Sequence, residues 1–214
     1  EARRQLVASG GILQHSGHAQ EASAAAGATL IVCPTSLVSQ WSEELVVRGG
    51  CREGGSGSGA GLQLIVYHGI GKHGLPPRLC SRQVVLVSYG TLCSEWGCVA
   101  AAERADNGKQ KRAGALFRVL WRRVVIDEAH TIKSVTSTTA RAVHALRAER
   151  RWAVTGTPVQ NSLDELYSLL RFLCVPMADE GPSAWTKAMS APERMSVLAN
   201  TLRPIMLRRT KDTQ

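Results

Sequence analysis

The sequence predicts an α/β fold in which a mainly parallel β-sheet is flanked by helices. Short, continuously apolar segments recur along the chain, and each ends in a turn. Helical patterns lie between several of these segments. Strands that are apolar on both faces are typical of parallel sheets covered by helices on both sides. The predicted strands are residues 30–33, 62–67, 84–87, 124–126 and 152–154.

Length and charge limit the classes of protein that fit. The 214 residues suffice for one α/β domain of ordinary size with a single core. The formal net charge is +9, and of 26 basic residues 6 are lysine and the other 20 are arginine. Because arginine is well suited to binding phosphate, this composition favours a polyanionic partner such as nucleic acid. The alternative is that an Ala-, Gly- and Arg-rich composition reflects coding bias alone.

Cysteine spacing and hydropathy argue against two further classes, zinc-binding proteins and membrane-spanning proteins. The six cysteines contain no C-x-x-C pair, so we interpret them as reduced intracellular thiols rather than as a zinc site. No apolar run reaches the roughly 20 residues that a membrane-spanning helix needs. We therefore expect a soluble chain without a membrane partner, and its first residue, Glu1 rather than Met, suggests a fragment.

Two ranges are predicted to be loops inserted into the sheet framework. Residues 49–61 are dense in Gly and Ser, and residues 105–114 are polar and include Lys109 and Lys111. Neither range has enough apolar side chains to fold alone. The second loop could contact a nucleic-acid backbone, although a solvated charged loop is the commoner case.

The strongest chemical motif is the predicted strand that ends in Asp127 and Glu128, followed by Ala129 and His130. Two adjacent carboxylates at a strand end suit ATP hydrolysis. Asp127 would hold the water shell of Mg²⁺, and Glu128 would orient the attacking water. His130 would sense the state of the site. An Asp-Glu pair after a strand also occurs by chance in turns, so this motif alone is only moderately specific.

A second strand, 152–154, runs into the polar segment 155–161, Thr-Gly-Thr-Pro-Val-Gln-Asn. Hydroxyls and amides at a strand end can sense the γ-phosphate of a nucleotide and relay its loss. The alternative is a plain Gly-Pro turn. Ser162 and Glu165 then form a predicted capping box. The helix that follows carries core leucines at helical spacing: Leu163, Leu166, Leu170 and Leu173.

Two more strand ends carry small polar residues. After the strand 30–33, a proline turn leads into a helix, and its predicted apolar face consists of Leu37, Trp41 and Leu45. Ser36 is the predicted N-cap of that helix. A helix start with free N–H groups can seat a backbone phosphate, although ordinary capping explains Ser36 equally well. The segment 87–91 is predicted to be a similar polar turn.

Taken in chain order, the four segments 30–41, 87–91, 123–130 and 152–161 resemble the Swi/Snf-type helicase-like ATPases of superfamily two. The resemblance runs from the motif after the phosphate loop through the DEAH box to the TGTP motif. Residues 167–173 and 202–211 are also similar to that family. The residues of these motifs are most similar to those of the branch that contains helicase-like transcription factor and related post-replication repair translocases. The resemblance implies a RecA-like fold and a single, incomplete lobe.

The resemblance also implies roles, cofactors and partners. Asp127 and Glu128 match the hydrolysis pair, with Asp127 binding Mg²⁺ through water, so ATP and Mg²⁺ are the implied cofactors. The positions matching residues that couple ATP to movement are His130, Thr155, Gly156 and Gln160. The positions matching segments that face the DNA backbone are Pro34, Thr35, Ser36, Ser88, Tyr89 and Gly90. The implied partners are duplex DNA or chromatin and a second RecA-like lobe, and the implied location is the nucleus.

Several features depart from the family pattern. No G-x-x-x-x-G-K-[ST] phosphate loop occurs in the sequence, and we interpret residues 1–29 as an atypical segment that replaces that region. Residues 30–175 are predicted to form the ATPase lobe, and residues 176–214 an extension toward a second lobe that the chain lacks. Ser134 stands where relatives usually carry Asn. The isolated chain is therefore expected to be inactive.

Two functions of different classes are consistent with these observations. One is the first lobe of an ATP-dependent DNA translocase or chromatin remodeller, active in DNA repair or on chromatin. The intact Asp127-Glu128 pair favours it. The alternative is a noncatalytic DNA- or chromatin-binding fragment, which the missing phosphate loop favours.

Overall fold

Helices lie between several of the strands, as the sequence predicts. The computed structural model describes residues 5–9, 27–53, 61–68, 75, 79–105, 114–157 and 163–207. The strands are β1 Gln5–Ser9, β2 Thr29–Cys33, β3 Arg52–Glu53, β4 Gln63–Tyr67, β5 Gln83–Ser88, β6 Leu120–Asp127, β7 Arg147–Thr155 and β8 Met206–Leu207. The helices are α1 Val38–Val47, α2 Tyr89–Ala105, α3 Ala115–Arg118, α4 Thr138–His144, α5 Leu163–Phe172, α6 Pro176–Asp179, α7 Pro182–Ser190 and α8 Arg194–Leu202. Two 3-10 turns cover Thr35–Leu37 and Ala129–Ile132.

The chain divides into two units. Unit 1 comprises residues 1–11, 126–144 and 150–214, and unit 2 comprises residues 12–125 and 145–149. In unit 2 the strand order is β3-β4-β5-β2-β6. β3 pairs with β4, β4 with β5 and β5 with β2, and each of these pairs is parallel. The prediction of a mainly parallel sheet is confirmed.

Helix α1 covers one face of the unit 2 sheet. Trp41 and Leu45 on its apolar side, together with Leu37 from the preceding 3-10 turn, pack against a cluster of buried residues that lie in the strands or, like Cys51, next to one. That cluster consists of Ile31, Cys33, Cys51, Leu64, Val84 and Leu86. The predicted apolar face of this helix is therefore confirmed.

A buried polar pair connects helix α2 to strand β4 in unit 2. The hydroxyl of Tyr67 donates to Oε1 of Glu95 at 2.8 Å, and Glu95 is 1% exposed. Burial raises the pKa of the Tyr67 phenol well above its ordinary value, and the bond to Glu95 raises it further. The bond offsets part of the cost of burying a carboxyl group, so it fixes α2 to the sheet.

In unit 1, β1 lies antiparallel between β7 and β8. Gln5 pairs with Thr155, and Leu6 pairs with Leu207. Most residues of helix α5 are buried: Leu166, Tyr167, Ser168, Leu169, Leu170 and Phe172. Of the four predicted core leucines, Leu166, Leu170 and Leu173 are at most 5% exposed, whereas Leu163 at the start of the helix is only half-buried.

The structure also differs from the sequence-based expectations. The strands β1, β3 and β8 were not predicted, and β3 with the buried Cys51 lies inside the range 49–61 that was expected to be a loop. Residues 54–60 and 106–113, which hold most of the two predicted loops, are outside the described residues, as is Ser162 of the predicted capping box. In the described part of the chain, no helix is long and apolar enough to cross a membrane.

Helices α4 and α5 of unit 1 are joined by a half-buried histidine. Nε2 of His144 lies 3.1 Å from the carbonyl oxygen of Ser168. A carbonyl can only accept, so Nε2 carries the proton. Burial lowers the pKa of His144 below its ordinary value; the bond to Ser168 opposes this effect, and the charges of Arg171 and Arg151 add to it.

This lowered pKa predicts a pH dependence of stability. As the pH falls below about 6.5, the unfolded chain binds a proton that the folded chain does not, so stability is complete above that pH and declines below it. We expect His144→Gln, which keeps a donor but does not titrate, to reduce the decline by up to about 1.4 kcal/mol per pH unit. Urea unfolding between pH 7.5 and 5.5 measures the effect. The exposed His68→Gln is the matched control, and an unchanged slope in His144→Gln would contradict the assignment.

Candidate active site

Strand β6 brings a fully buried carboxyl group to its carboxyl end. Val124 and Ile126 are completely buried, and Asp127 is 0% exposed. The backbone N–H of Glu128 donates to Oδ1 of Asp127 at 2.8 Å. This short bond to the next peptide orients the Asp127 carboxyl group.

The next residue leaves the strand through an unusual backbone conformation. Glu128 has φ 49° and ψ 52°, in the left-handed region that few residues other than glycine adopt. Its carbonyl oxygen accepts from the N–H of Thr131 at 2.9 Å and from the hydroxyl of Thr131 at 2.7 Å. These bonds close the 3-10 turn Ala129–Ile132 directly after the carboxylates.

The side chains of Glu128 and His130 lie together beside this turn. Nδ1 of His130 is 3.3 Å from Oε2 of Glu128, within ion-pair distance but without the alignment of a hydrogen bond. The side chain of Glu128 is 28% exposed and that of His130 is 40% exposed. Glu128 can therefore reach a water molecule, whereas Asp127 is enclosed.

A second polar strand end belongs to β7, which follows β6 in the strand order. Thr155, its last residue, is fully buried, and its Oγ1 accepts from the N–H of Thr157 at 3.2 Å. Gly156 and Thr157 are exposed. The fourth predicted coupling residue, Gln160, is outside the described residues.

The segments predicted to face DNA follow the carboxyl ends of two neighbouring strands of the unit 2 sheet. β2 and β5 are parallel neighbours in which Cys33 pairs with Ser88, so the residues that follow these two strands leave the sheet side by side. Thr35, Ser36 and Gly90 are exposed, and Pro34 is partly exposed. Tyr89 is 7% exposed, so its side chain faces the protein.

The predicted cap at Ser36 is wrong. Ser36 lies inside the 3-10 turn Thr35–Leu37, and no side chain caps either this turn or α1. The N–H of Leu37 donates to the carbonyl of Pro34 at 2.9 Å, and this backbone bond closes the 3-10 turn.

The predicted turn at 87–91 is also different. Strand β5 passes directly into helix α2, and Oγ of Ser88 accepts from the N–H of Thr91 at 3.1 Å. Ser88 is therefore the residue that caps a helix at this edge.

Sequence reasoning missed the residues that hold the turn after Glu128. Ser168 on α5 is fully buried, and its hydroxyl donates to the carbonyl of Ile132. Nζ of Lys133 lies 3.9 Å from Oε1 of Glu165, also on α5. The available signal was a serine between buried residues of the helix, but its partner is 36 residues away.

The donor set at the end of β6 fits a hydrated Mg²⁺ better than a metal bound mainly by protein. No cluster of three or more His, Cys, Asp or Glu side chains occurs within the described ranges. Mg²⁺ commonly keeps several waters and uses one or two carboxylates together with substrate phosphates. Asp127 supplies one such carboxylate, although its side chain is enclosed in this structure and would have to become accessible to the waters around such an ion.

Comparison with known proteins gives the family. The SNF2-related domain family matches residues 7–213. The chain is 37% identical over 198 residues to DNA repair protein RAD5B of Arabidopsis thaliana, covering 89% of this chain and 14% of that protein. It is 36% identical over 196 residues to DNA repair protein rad5 of Aspergillus fumigatus, covering 86% of this chain and 14% of that protein. The chain thus spans about one seventh of the length of these relatives.

Solved structures agree with this family. The SWI2/SNF2 ATPase core of Sulfolobus solfataricus in complex with dsDNA superposes with a TM-score of 0.60 at 27% identity, over 87% of this chain and 34% of that one. The core domain of the same protein gives a TM-score of 0.56 at 26% identity, over 87% and 33%. The family match over nearly the whole chain, together with this fold, shows that the chain belongs to the SNF2-related domain family and has the RecA-like fold of a SWI2/SNF2 ATPase core.

Proposed function

We propose that the chain is the first, nucleotide-hydrolysing lobe of an ATP-dependent DNA translocase that acts in DNA repair or chromatin remodelling. The observation that carries this proposal is the arrangement at the end of β6. Asp127 is enclosed and oriented by the next peptide, and Glu128 turns out of the strand with its side chain partly exposed. A partly exposed carboxylate such as Glu128 can orient water, and the adjacent carboxyl group of Asp127, at the end of the same strand, is the one proposed to hold the metal.

The proposed chemistry assigns each carboxylate one task. Bound Mg²⁺ would neutralise charge on the phosphates of ATP and supply ordered water ligands. Asp127 would accept hydrogen bonds from such waters. Glu128 would accept a hydrogen bond from the attacking water and align it, and His130, 3.3 Å away, would restrict the position of the Glu128 carboxylate.

Coupling to movement is proposed for His130, Thr155, Gly156 and Gln160. Thr155 ends the strand that follows β6 in the sheet order, and the exposed Gly156 comes directly after it. Polar groups in such a position can change partners when a phosphate leaves. A second RecA-like lobe is the partner expected to complete this site.

Duplex DNA or chromatin is the proposed macromolecular partner. The exposed residues Thr35, Ser36 and Gly90 follow two adjacent parallel strands, and the chain carries a net charge of +9. Together these features suit contact with the phosphate backbone rather than with base edges. Relatives are named DNA repair proteins, which supports a proposed location in the nucleus.

A noncatalytic DNA-binding role is the second candidate. It is favoured by one observation, the absence of a G-x-x-x-x-G-K-[ST] loop from the sequence. Without a loop that cradles the triphosphate, Asp127 alone would hold Mg-ATP weakly. The isolated chain is accordingly proposed to lack ATPase activity, while its carboxylate pair is complete.

A chimera that joins the chain to the other parts of such a motor tests the enzymatic proposal. It carries a phosphate loop after Leu13 and a related second lobe at the C-terminus. We expect DNA-stimulated ATP hydrolysis that falls at least about 100-fold in Glu128→Gln, because the amide cannot orient the water in the same way. Nucleotide affinity should change little. Steady-state hydrolysis with and without duplex DNA, and a nucleotide titration, measure the two effects.

The matched control is Glu180→Gln, which makes the same change at an exposed glutamate of unit 1. It should leave hydrolysis at the rate of the chimera. Equal rates for the chimera and Glu128→Gln would show that the carboxylate at the end of β6 is not catalytic.

DNA binding by the present chain tests the proposed partner. We expect binding without sequence preference that weakens as salt rises, because phosphate contacts release counterions. Ser36→Asp should lower affinity about tenfold, or about 1.4 kcal/mol, by placing a negative charge at the proposed contact. Ser190→Asp, at an exposed serine of unit 1, is the control. Fluorescence anisotropy across a salt series measures both, and a flat salt response would refute backbone binding.

A further inference from the structure

The conformation of Glu128 has to be imposed by its surroundings. A glutamate at φ 49° is in a sparsely populated region, and such residues persist only where neighbouring contacts fix them. Two bonds from Thr131 to the carbonyl of Glu128 lie within the turn itself. They fix the shape of the turn but do not attach it to the rest of unit 1.

Helix α5 provides that attachment. The hydroxyl of Ser168 donates to the carbonyl of Ile132, the last residue of the 3-10 turn, and both residues are 0% exposed. One residue further on, Lys133 lies 3.9 Å from Glu165 on the same helix. The Lys133 side chain is 44% exposed, so this ion pair is screened by solvent. The buried hydrogen bond is therefore the stronger of the two attachments.

A hydroxyl at position 168 has no other evident use. Burying a hydroxyl is unfavourable unless it is hydrogen-bonded, and an alanine would continue an α-helix more readily. The carbonyl of Ser168 also accepts from Nε2 of His144 on α4. Ser168 thus connects α4, α5 and the turn at a single point.

We propose that Ser168 is a positioning residue for Glu128, holding the turn through the carbonyl of Ile132 so that the Glu128 carboxylate keeps its place. This inference rests on the proposed hydrolytic role of Glu128. It extends that role, because Ser168 touches neither the nucleotide nor the attacking water. It also predicts that α5, which follows the coupling segment 155–161 along the chain, can influence hydrolysis.

The first test measures the turn in the present chain. Ser168→Ala removes the donor, and we expect the Thr131 and Lys133 amides to exchange with solvent about tenfold faster, since the turn opens more often. The backbone chemical shifts of Glu128, which report its φ angle, should move toward those of ordinary conformations. The amide of Trp185 on α7 is the internal reference. Hydrogen exchange followed by NMR measures all of these.

The matched control is Tyr167→Phe on the same helix. Tyr167 is 4% exposed, and its hydroxyl has no hydrogen-bond partner among the described residues. Both substitutions remove one buried hydroxyl from α5, but only Ser168→Ala removes a bond to the turn. Tyr167→Phe should leave the exchange rates unchanged. Ser168→Thr, which keeps the donor, should restore slow exchange.

The second test measures hydrolysis in the chimera that carries the phosphate loop and the second lobe. Ser168→Ala should lower kcat about tenfold and leave KM for ATP within about twofold, as expected when water positioning is lost but nucleotide binding is not. Ser168→Thr should recover most of the lost rate. Should Ser168→Ala fail to fold, Ser168→Cys, with a weak S–H donor of similar size, should give intermediate exchange and kcat.

The outcomes separate the two proposals. Hydrolysis that depends on Glu128 but not on Ser168 would overturn the positioning role alone. Hydrolysis that does not depend on Glu128 would overturn the proposed function. Unchanged exchange of Thr131 and Lys133 in Ser168→Ala, or in Ser168→Cys where it replaces Ala, would overturn the positioning role whatever the ATPase result.

Discussion

The end of strand β6 places two adjacent carboxyl groups in opposite environments, and the turn that follows it and helix α5 hold this arrangement. Asp127 is the last residue of the strand and is enclosed, while Glu128 must leave the strand at once for its side chain to reach solvent. The left-handed conformation of Glu128 achieves this reversal within one residue. The hydrogen bonds of the following turn, and the contacts that hold that turn, offset the conformational free energy that this backbone geometry costs.

Those contacts come from α4 and α5, two helices that also pack the core of unit 1. Helix α5 buries Leu166, Leu169 and Leu170, and the hydroxyl of Ser168, between them, donates to the carbonyl of Ile132. His144 on α4 then donates to Ser168, so three elements meet at one buried polar point. A polar network of this kind gives a unique arrangement when all its members are satisfied. Stability and the geometry of the candidate site therefore depend on the same residues.

The sequence predicted the features that depend on local pattern. The five apolar strands were predictable because each is a short, continuous run of apolar residues, and the carboxylates were predictable because they end one of those strands. β1 and β8 lack a long apolar run and form through antiparallel pairing with distant segments. The cap at Ser36 was mispredicted because the chain already turns at Thr35, so Ser36 lies inside a 3-10 turn rather than at the start of the helix. Ser168 could not be assigned, since its partner is 36 residues away and its helix reads as core.

The most direct test of this account is a double-mutant cycle between Ser168→Ala and Glu128→Gln in the chimera, with kcat for ATP as the measured quantity. If the turn acts on hydrolysis through Glu128, Ser168→Ala should lower kcat about tenfold when Glu128 is present. It should change kcat less than about twofold in the Glu128→Gln background, because residues that act as a unit are not additive. An equal loss in both backgrounds would mean that Ser168 stabilises the fold without positioning Glu128.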